Sequence, residues 1–199
     1  TDSYTVVSGY GTLAVTQAKD AITITGDISK TYDGKEVNDP AYTRKGTGNV
    51  ELSYYTKSGS TYNKLSVKPK DAGTYYVSIN EAAAGNYAES VSAYREFIIS
   101  KAVIKLEAEA ASSIYYEPLA ELKYKETGTA VTGEDLGIKI STNATAASPA
   151  GSNYDITITY DTAMTNYAVT VTNAKYTVIN AAMKVNAADV NVTYDGKAH

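Results

Sequence analysis

Asp71-Ala72-Gly73-Thr74-Tyr75-Tyr76-Val77-Ser78-Ile79-Asn80 is the stretch that decides the fold. Tyr75, Val77 and Ile79 fall on one face, and Tyr76, Ser78 and Asn80 on the other. That period of two is the mark of a half-buried strand. The pattern extends in both directions. Ile22 and Ile24 alternate with Thr23 and Thr25, and Val50, Leu52 and Tyr54 with Glu51 and Ser53. Further on, Tyr154, Ile156, Ile158 and Tyr160 alternate with Asp155, Thr157 and Thr159, and Tyr167, Val169 and Val171 obey the same rule. Turn signals separate the runs: Asp33-Gly34, Asp39-Pro40, Lys45-Gly46-Thr47-Gly48, Ser58-Gly59-Ser60 and Pro149-Ala150-Gly151. Short strands with regular turns predict an all-β sandwich or barrel.

The chain also repeats itself. Thr31-Tyr32-Asp33-Gly34-Lys35 returns as Thr193-Tyr194-Asp195-Gly196-Lys197, with a degenerate copy at Ile114-Tyr115-Tyr116-Glu117-Pro118. Asn86-Tyr87-Ala88 recurs 80 residues on as Asn166-Tyr167-Ala168. A period of that size suits a string of small domains rather than a solenoid. The 199 residues therefore divide into repeat one, 20–102, and repeat two, 103–182. Residues 1–19 read as the closing strands of a preceding repeat, because Tyr10-Gly11-Thr12-Leu13-Ala14-Val15 is patterned like a closing strand. Residues 183–199 read as the start of a following repeat. The repeat also settles Val103–Ser112, which is rich in helix formers. It stands where Ala21–Thr25 stands in repeat one, and Ile104 and Leu106 alternate with Lys105 and Glu107, so a strand is predicted.

Composition narrows the function. The chain has no cysteine, so neither a disulfide framework nor a thiolate metal site exists in it. Its aromatic content is 19 tyrosines, one phenylalanine and no tryptophan, which suits thin domains whose rings fill a small core while their hydroxyls reach water. A net charge of −4 argues against a nucleic-acid surface, and no apolar run approaches the ~20 residues of a membrane helix. The single histidine, His199, leaves no His-based triad or His-rich metal site. Glu107 and Glu109 share a strand face and read as a solvated edge. Asp33-Gly34 and Asp195-Gly196 supply too few oxygens for calcium and read as tight turns. Neither catalytic residues, nor metal ligands, nor a cofactor are expected.

Asp71-Ala72-Gly73-Thr74-Tyr75-Tyr76-Val77 resembles the start of strand F in an immunoglobulin-like sandwich, Asp-x-Gly-x-Tyr-x-Cys. The resemblance makes Tyr75 the corner tyrosine and puts Val77 where the cysteine would stand. Pro149-Ala150-Gly151-Ser152-Asn153-Tyr154 keeps Ala-Gly but has its tyrosine one place later. The wider order is Tyr-Asp-Gly-Lys, Ala-Gly before a strand, Asn-Tyr, then a closing strand ending at Ala102 or Ala182. It resembles the tandem repeats of bacterial cell-surface proteins known as MBG or bacterial immunoglobulin-like domains. That implies tandem β-sandwiches, with β-grasp-like repeats as the alternative, on the outside of a bacterial cell or in its wall.

Two functional expectations follow. One is a non-catalytic stalk that projects an adhesive domain, its partners being the neighbouring repeats. The linkers Lys101-Ala102-Val103 and Ala181-Ala182-Met183 hold no flexible Gly/Ser stretch. The other is an adhesin module that itself holds host glycan, mucin or matrix protein, with avidity from the array. Its candidate contacts are the outward members of the tyrosine doublets, Tyr55, Tyr76 and Tyr116. Tyr32, Asp33, Gly34, Asp71, Gly73, Tyr75, Tyr194, Asp195 and Gly196 are expected to be structural.

Overall fold

A computed structural model of the chain describes residues 8–151, 153–189 and 193–197. Among these every regular element is a strand, and no helix is long and apolar enough to cross a membrane. The chain forms two compact units. The first runs to Val103 and takes in Ala130–Glu134 and Thr162–Ala168. The second comprises Ile104–Thr129, Asp135–Asp161 and the chain from Val169. Two short segments of repeat two therefore pack with the first unit.

The first unit holds β1 (Thr23–Ile24), β2 (Lys30–Thr31), β3 (Tyr42–Thr43), β4 (Val50–Ser58), β5 (Thr61–Lys64), β6 (Gly73–Glu81), β7 (Ser90–Val91) and β8 (Arg95–Ser100). Its main sheet has the order β2-β8-β6-β4-β5, with β7 also on β6, while β1 and β3 pair separately. The β2–β8 pair is parallel; β8–β6, β6–β4 and β4–β5 are antiparallel. The alternation of the deciding stretch becomes burial: Val77 and Ile79 are fully buried. Tyr54 and Phe97 meet edge to face beside them, with ring centroids 6.1 Å apart. Each such aliphatic side chain contributes about 1.5–3 kcal/mol by leaving water.

The remaining strands are β9 (Ala102–Ala108), β10 (Ala111–Ile114), β11 (Tyr124–Thr127), β12 (Lys139–Thr142), β13 (Asn153–Thr159), β14 (Tyr167–Thr172) and β15 (Ala174–Ile179); all lie in the second unit except the first two residues of β9 and of β14. One sheet is β10-β15-β13-β12, with β10 parallel to β15. The other is β11-β9-β14. Val103–Ala108 is strand despite its helix propensity, because a strand buries Ile104 and Leu106 completely and leaves Lys105 and Glu107 in water; Glu109 and Ala110 interrupt the run, and Ala111–Ser112 opens β10 in the other sheet. Ala144, Ile156, Tyr176 and Val178 form a core against which Ala108 and Leu122 pack.

The order β4-β6-β8 matches β12-β13-β15, and both match the C-F-G sheet of an immunoglobulin-like sandwich. One departure is β14, which leaves the sheet between β13 and β15 to pair with β9. The corner bond is present in both units. Tyr75 Oη donates to the Asp71 carbonyl at 3.1 Å, and Tyr154 Oη to the Pro149 carbonyl at 3.1 Å.

The opening segment differs from its sequence expectation. Tyr10–Val15 forms no strand, and Tyr10, Leu13 and Val15 are exposed. Its described residues are tied down only near their end, where Ala18 N–H donates to the Asn86 carbonyl and Ala88 N–H to that of Ala18. A strand needs a neighbour for its N–H and C=O groups, and among the described residues none pairs with Tyr10–Val15. Met183 and Val185 are likewise exposed and outside any strand. Residues 1–7 and His199 lie outside the described residues.

Candidate functional site: an aromatic sheet face and a repeated turn

Register places the first unit's outward residues. Tyr55 pairs with Tyr76, Lys57 with Tyr62, and Tyr76 with Glu96. Period two then sets Tyr55 and Lys57 of β4, Tyr62 of β5, Tyr76 of β6, and Glu96 with Tyr94 just before it, on one face. Four rings from four segments meet there. Tyr62 and Tyr94 stack with centroids 3.8 Å apart and planes 5° from parallel. Tyr55 meets Tyr94 edge to face at 5.1 Å, and Tyr76 meets Tyr62 the same way at 5.1 Å. The Lys57 ammonium lies 5.1 Å from the Tyr62 centroid and 5.6 Å from that of Tyr76. Tyr76 Oη donates to Glu96 at 2.5 Å, and that bond holds the Tyr76 phenol above its ordinary pKa.

The cluster also alters the sheet below it. Ser53 and Ser78 belong to the outward face by register, yet both are buried. The rings roof them, and Tyr94 remains 45 % exposed on top. Tyr55 and Tyr76 are thus brought together, whereas Tyr116 stands in the other unit. It is not an outward strand residue. The Tyr115-Tyr116 doublet lies in a turn after β10, where Tyr116 has φ 65° and its ring meets that of Tyr115 at 4.5 Å. A turn breaks the alternation on which the outward assignment relied.

The Tyr-Asp-Gly-Lys turn is the second feature. Asp33 Oδ1 accepts from the Lys35 N–H at 2.9 Å and pairs with the Lys30 ammonium at 2.5 Å. Gly34 has φ +73°, open to glycine at little cost. Asp195 Oδ1 accepts from the Lys197 N–H at 3.0 Å, and Gly196 has φ +75°. The turn is therefore built identically in both places. Its surroundings differ. Tyr194 is 91 % exposed and Tyr32 only 6 %. Within the first unit the Tyr32 and Tyr167 rings meet edge to face at 5.5 Å, and both hydroxyls donate to the Glu134 carboxylate. Those bonds hold the Glu134 carboxyl below its ordinary range, Tyr167's first and then Tyr32's. The bond to Glu134, with burial second, pushes the Tyr32 phenol up to about 12. Asn166 completes the packing, accepting from Ala72 N–H at 2.8 Å and donating to Asp71 at 3.0 Å.

Residues 19–98 match the family model of the MBG domain. MBG is a repeat domain of bacterial cell-surface proteins. The match takes in the Tyr-Asp-Gly-Lys turn, the corner tyrosine and the whole aromatic face. Repeat two lies outside the matched residues, so the likeness between the copies rests on sequence period and strand order. No characterised protein matches the chain by sequence. Among solved structures, the crystal structure of Drosophila N-cadherin EC1-4 is similar, with a TM-score of 0.32 and 8 % identity over 83 % of this chain. The chain spans half the length of that cadherin chain.

Beyond Tyr55 and Tyr76, the face depends on residues that sequence reasoning did not single out: Tyr62, Tyr94, Lys57 and Glu96. Tyr62 lies on a four-residue strand and Tyr94 just before a strand, so alternation was too short to place them. Glu134 was also missed, since it stands in a turn far in sequence from Tyr32. A further site among the matched residues is a buried acid. Glu81 Oε1 accepts from Arg44 Nη1 at 2.7 Å and from Gly48 N–H at 3.1 Å. Asp20 Oδ2 accepts from Gly46 N–H at 2.6 Å, chiefly why its carboxyl sits below its ordinary range. Together the two acids brace the Lys45–Gly48 turn.

Proposed function

We propose that this chain is a non-catalytic spacer segment of a bacterial cell-surface protein, positioned outside the cell or in its wall and projecting a functional domain away from it. The observation that carries the reading is the linker. β8 ends at Ser100 and β9 begins at Ala102, so a single residue, Lys101, separates them. Ala102 N–H donates to the Asn166 carbonyl at 3.0 Å, as Ala18 N–H does to that of Asn86 at 2.8 Å. Both bonds lie within the first unit, and each goes to an Asn-Tyr-Ala motif. A chain built for free swivelling would place Gly/Ser coil there. The partners of such a segment are its neighbouring repeats.

The test is a deletion of the whole 199-residue segment in the parent surface protein. The expected result is a shorter reach of the distal domain from the wall, measured by accessibility of a distal tag to antibody, with binding by that domain intact. Unchanged reach would overturn the spacer reading. A second reading, that the repeats themselves contact a ligand, is supported by the aromatic face of the first unit alone.

A further inference from the structure

The tyrosine roof is not something this sheet needs. The second unit builds the same strand order, and its outward face is short and polar. Ser141 and Thr157 share a hydroxyl hydrogen bond at 3.2 Å, and Thr177 Oγ1 donates to Asn153 at 3.0 Å. At the ladder position where the first unit pairs Tyr76 with Glu96, the second pairs Asp155 with Lys175, at 2.5 Å. One copy closes its face with small polar groups and an ion pair. The other spends four large rings on it and leaves Tyr94 half in water.

The charges on the roofed face are uneven. Lys64 is paired with Glu51 at 3.0 Å, and the Glu96 carboxylate is taken by the Tyr76 hydroxyl. Lys57, among the described residues, pairs with no carboxylate; its ammonium is held over the rings of Tyr62 and Tyr76. An aromatic face with a hydroxyl-rich rim and one unpaired cation has a definite chemical complement. The C–H bonds on one side of a pyranose ring carry partial positive charge and rest against the negative face of a phenol ring. An anionic substituent on that sugar reaches the ammonium.

We propose that Tyr55, Tyr62, Tyr76 and Tyr94, with Lys57, form a binding site in the first unit for an acidic glycan, a pyranose bearing a carboxylate or a sulfate. The sugar packs on the exposed side of Tyr94 and its anionic group pairs with Lys57. The inference rests on the second reading above and leaves the spacer reading untouched. A protein with net charge −4 gains no long-range attraction for an anion, so recognition is local and weak per copy.

The test uses the whole 199-residue chain and calorimetric or NMR titration with three probes: sialyllactose for the carboxylate, 6-sulfolactose for the sulfate, and lactose as the neutral reference. Saturable binding of one or both acidic sugars is expected, tighter than lactose. Lys57→Gln is expected to weaken it at least about fivefold, with Lys57→Arg retaining it. Tyr94→Ala is expected to abolish binding, while Tyr116→Ala and Lys175→Gln leave it unchanged. Lys57 is exposed, so its variants keep the fold if Tyr94→Ala does not. The proposal is overturned if no acidic sugar saturates, if lactose binds equally and Lys57→Gln has no effect, or if the face captures a non-glycosylated protein and no sugar. None of these outcomes bears on the reach measurement.

Discussion

Tyr75 and Tyr154 make the same corner bond from different distances along the chain. Tyr75 reaches the carbonyl four residues upstream, at Asp71, and Tyr154 the one five residues upstream, at Pro149. The extra residue before β13 is absorbed in the loop while hydroxyl and carbonyl still meet. The corner is thus a tertiary requirement of the sandwich rather than a fixed sequence spacing. Removing the hydroxyl with Tyr75→Phe is expected to cost about 1 kcal/mol, the net worth of one hydrogen bond. Urea denaturation, read by amide protection of Val77 and Ile79, checks it. A Tyr75→Phe protein as stable as the parent would show that the ring alone does the work.

Glu134 predicts how stability depends on pH. Its folded pKa is depressed by the Tyr167 and Tyr32 hydroxyls, so it adds stability above its unfolded value, about 4.3, that is lost as pH falls through the lower folded value. Tyr32 works in the opposite sense. Its folded pKa is raised, so its contribution is complete below about 10 and is lost as pH rises toward the folded value of about 12. Glu134→Gln is expected to flatten the acid limb, and Tyr32→Phe to blunt the alkaline one. Thermal melts from pH 2.5 to 12 follow both limbs; unchanged slopes in both variants would remove Glu134 from this role.

The two copies of the turn should respond differently to one substitution. A Cβ at Gly34 would lie 2.7 Å from Val131 Cγ1, whereas at Gly196 it would meet nothing within 4 Å. Both glycines have positive φ, so alanine carries a left-handed penalty of about 1–2 kcal/mol wherever the turn is held. Gly34→Ala is expected to exceed that figure because of the clash. Gly196→Ala is expected to cost less than Gly34→Ala, since among the described residues a Cβ at Gly196 meets nothing within 4 Å. Equal effects would mean that the turn, not its packing, controls stability.

Arg44 offsets a carboxylate that is 2 % exposed. Arg44→Ala strands the Glu81 charge, at a cost of about 3 kcal/mol, the low end for a buried pair because Arg44 itself keeps some contact with water. Adding Glu81→Gln should recover part of the loss by removing the charge. Urea midpoints of the single and double variants decide it; a double variant no better than Arg44→Ala would show that the loss comes from side-chain packing instead.

Strand identity was legible because it depends on residues close together in the chain. Alternation in Tyr75–Asn80 is local, and the Asp-Gly turns close the same side-chain-to-backbone bond at 33–35 and 195–197. The sites were far less legible. Tyr116 shares a doublet with Tyr115 just as Tyr76 does with Tyr75, yet it sits in a turn. Tyr10–Val15 has strand composition and no strand, for want of a partner edge.

The sequence by itself determined which segments extend, which face of each turns inward, and that no cysteine or histidine chemistry holds the chain together. Only the tertiary structure decided that Tyr62 and Tyr94 stack, that Glu134 serves both Tyr32 and Tyr167, and that two loops of repeat two belong to the first unit. The physical reason is range. Side-chain alternation is set by backbone geometry within a few residues, whereas a shared carboxylate or a stacked ring pair exists only once strand register has brought together residues 32 to 135 positions apart.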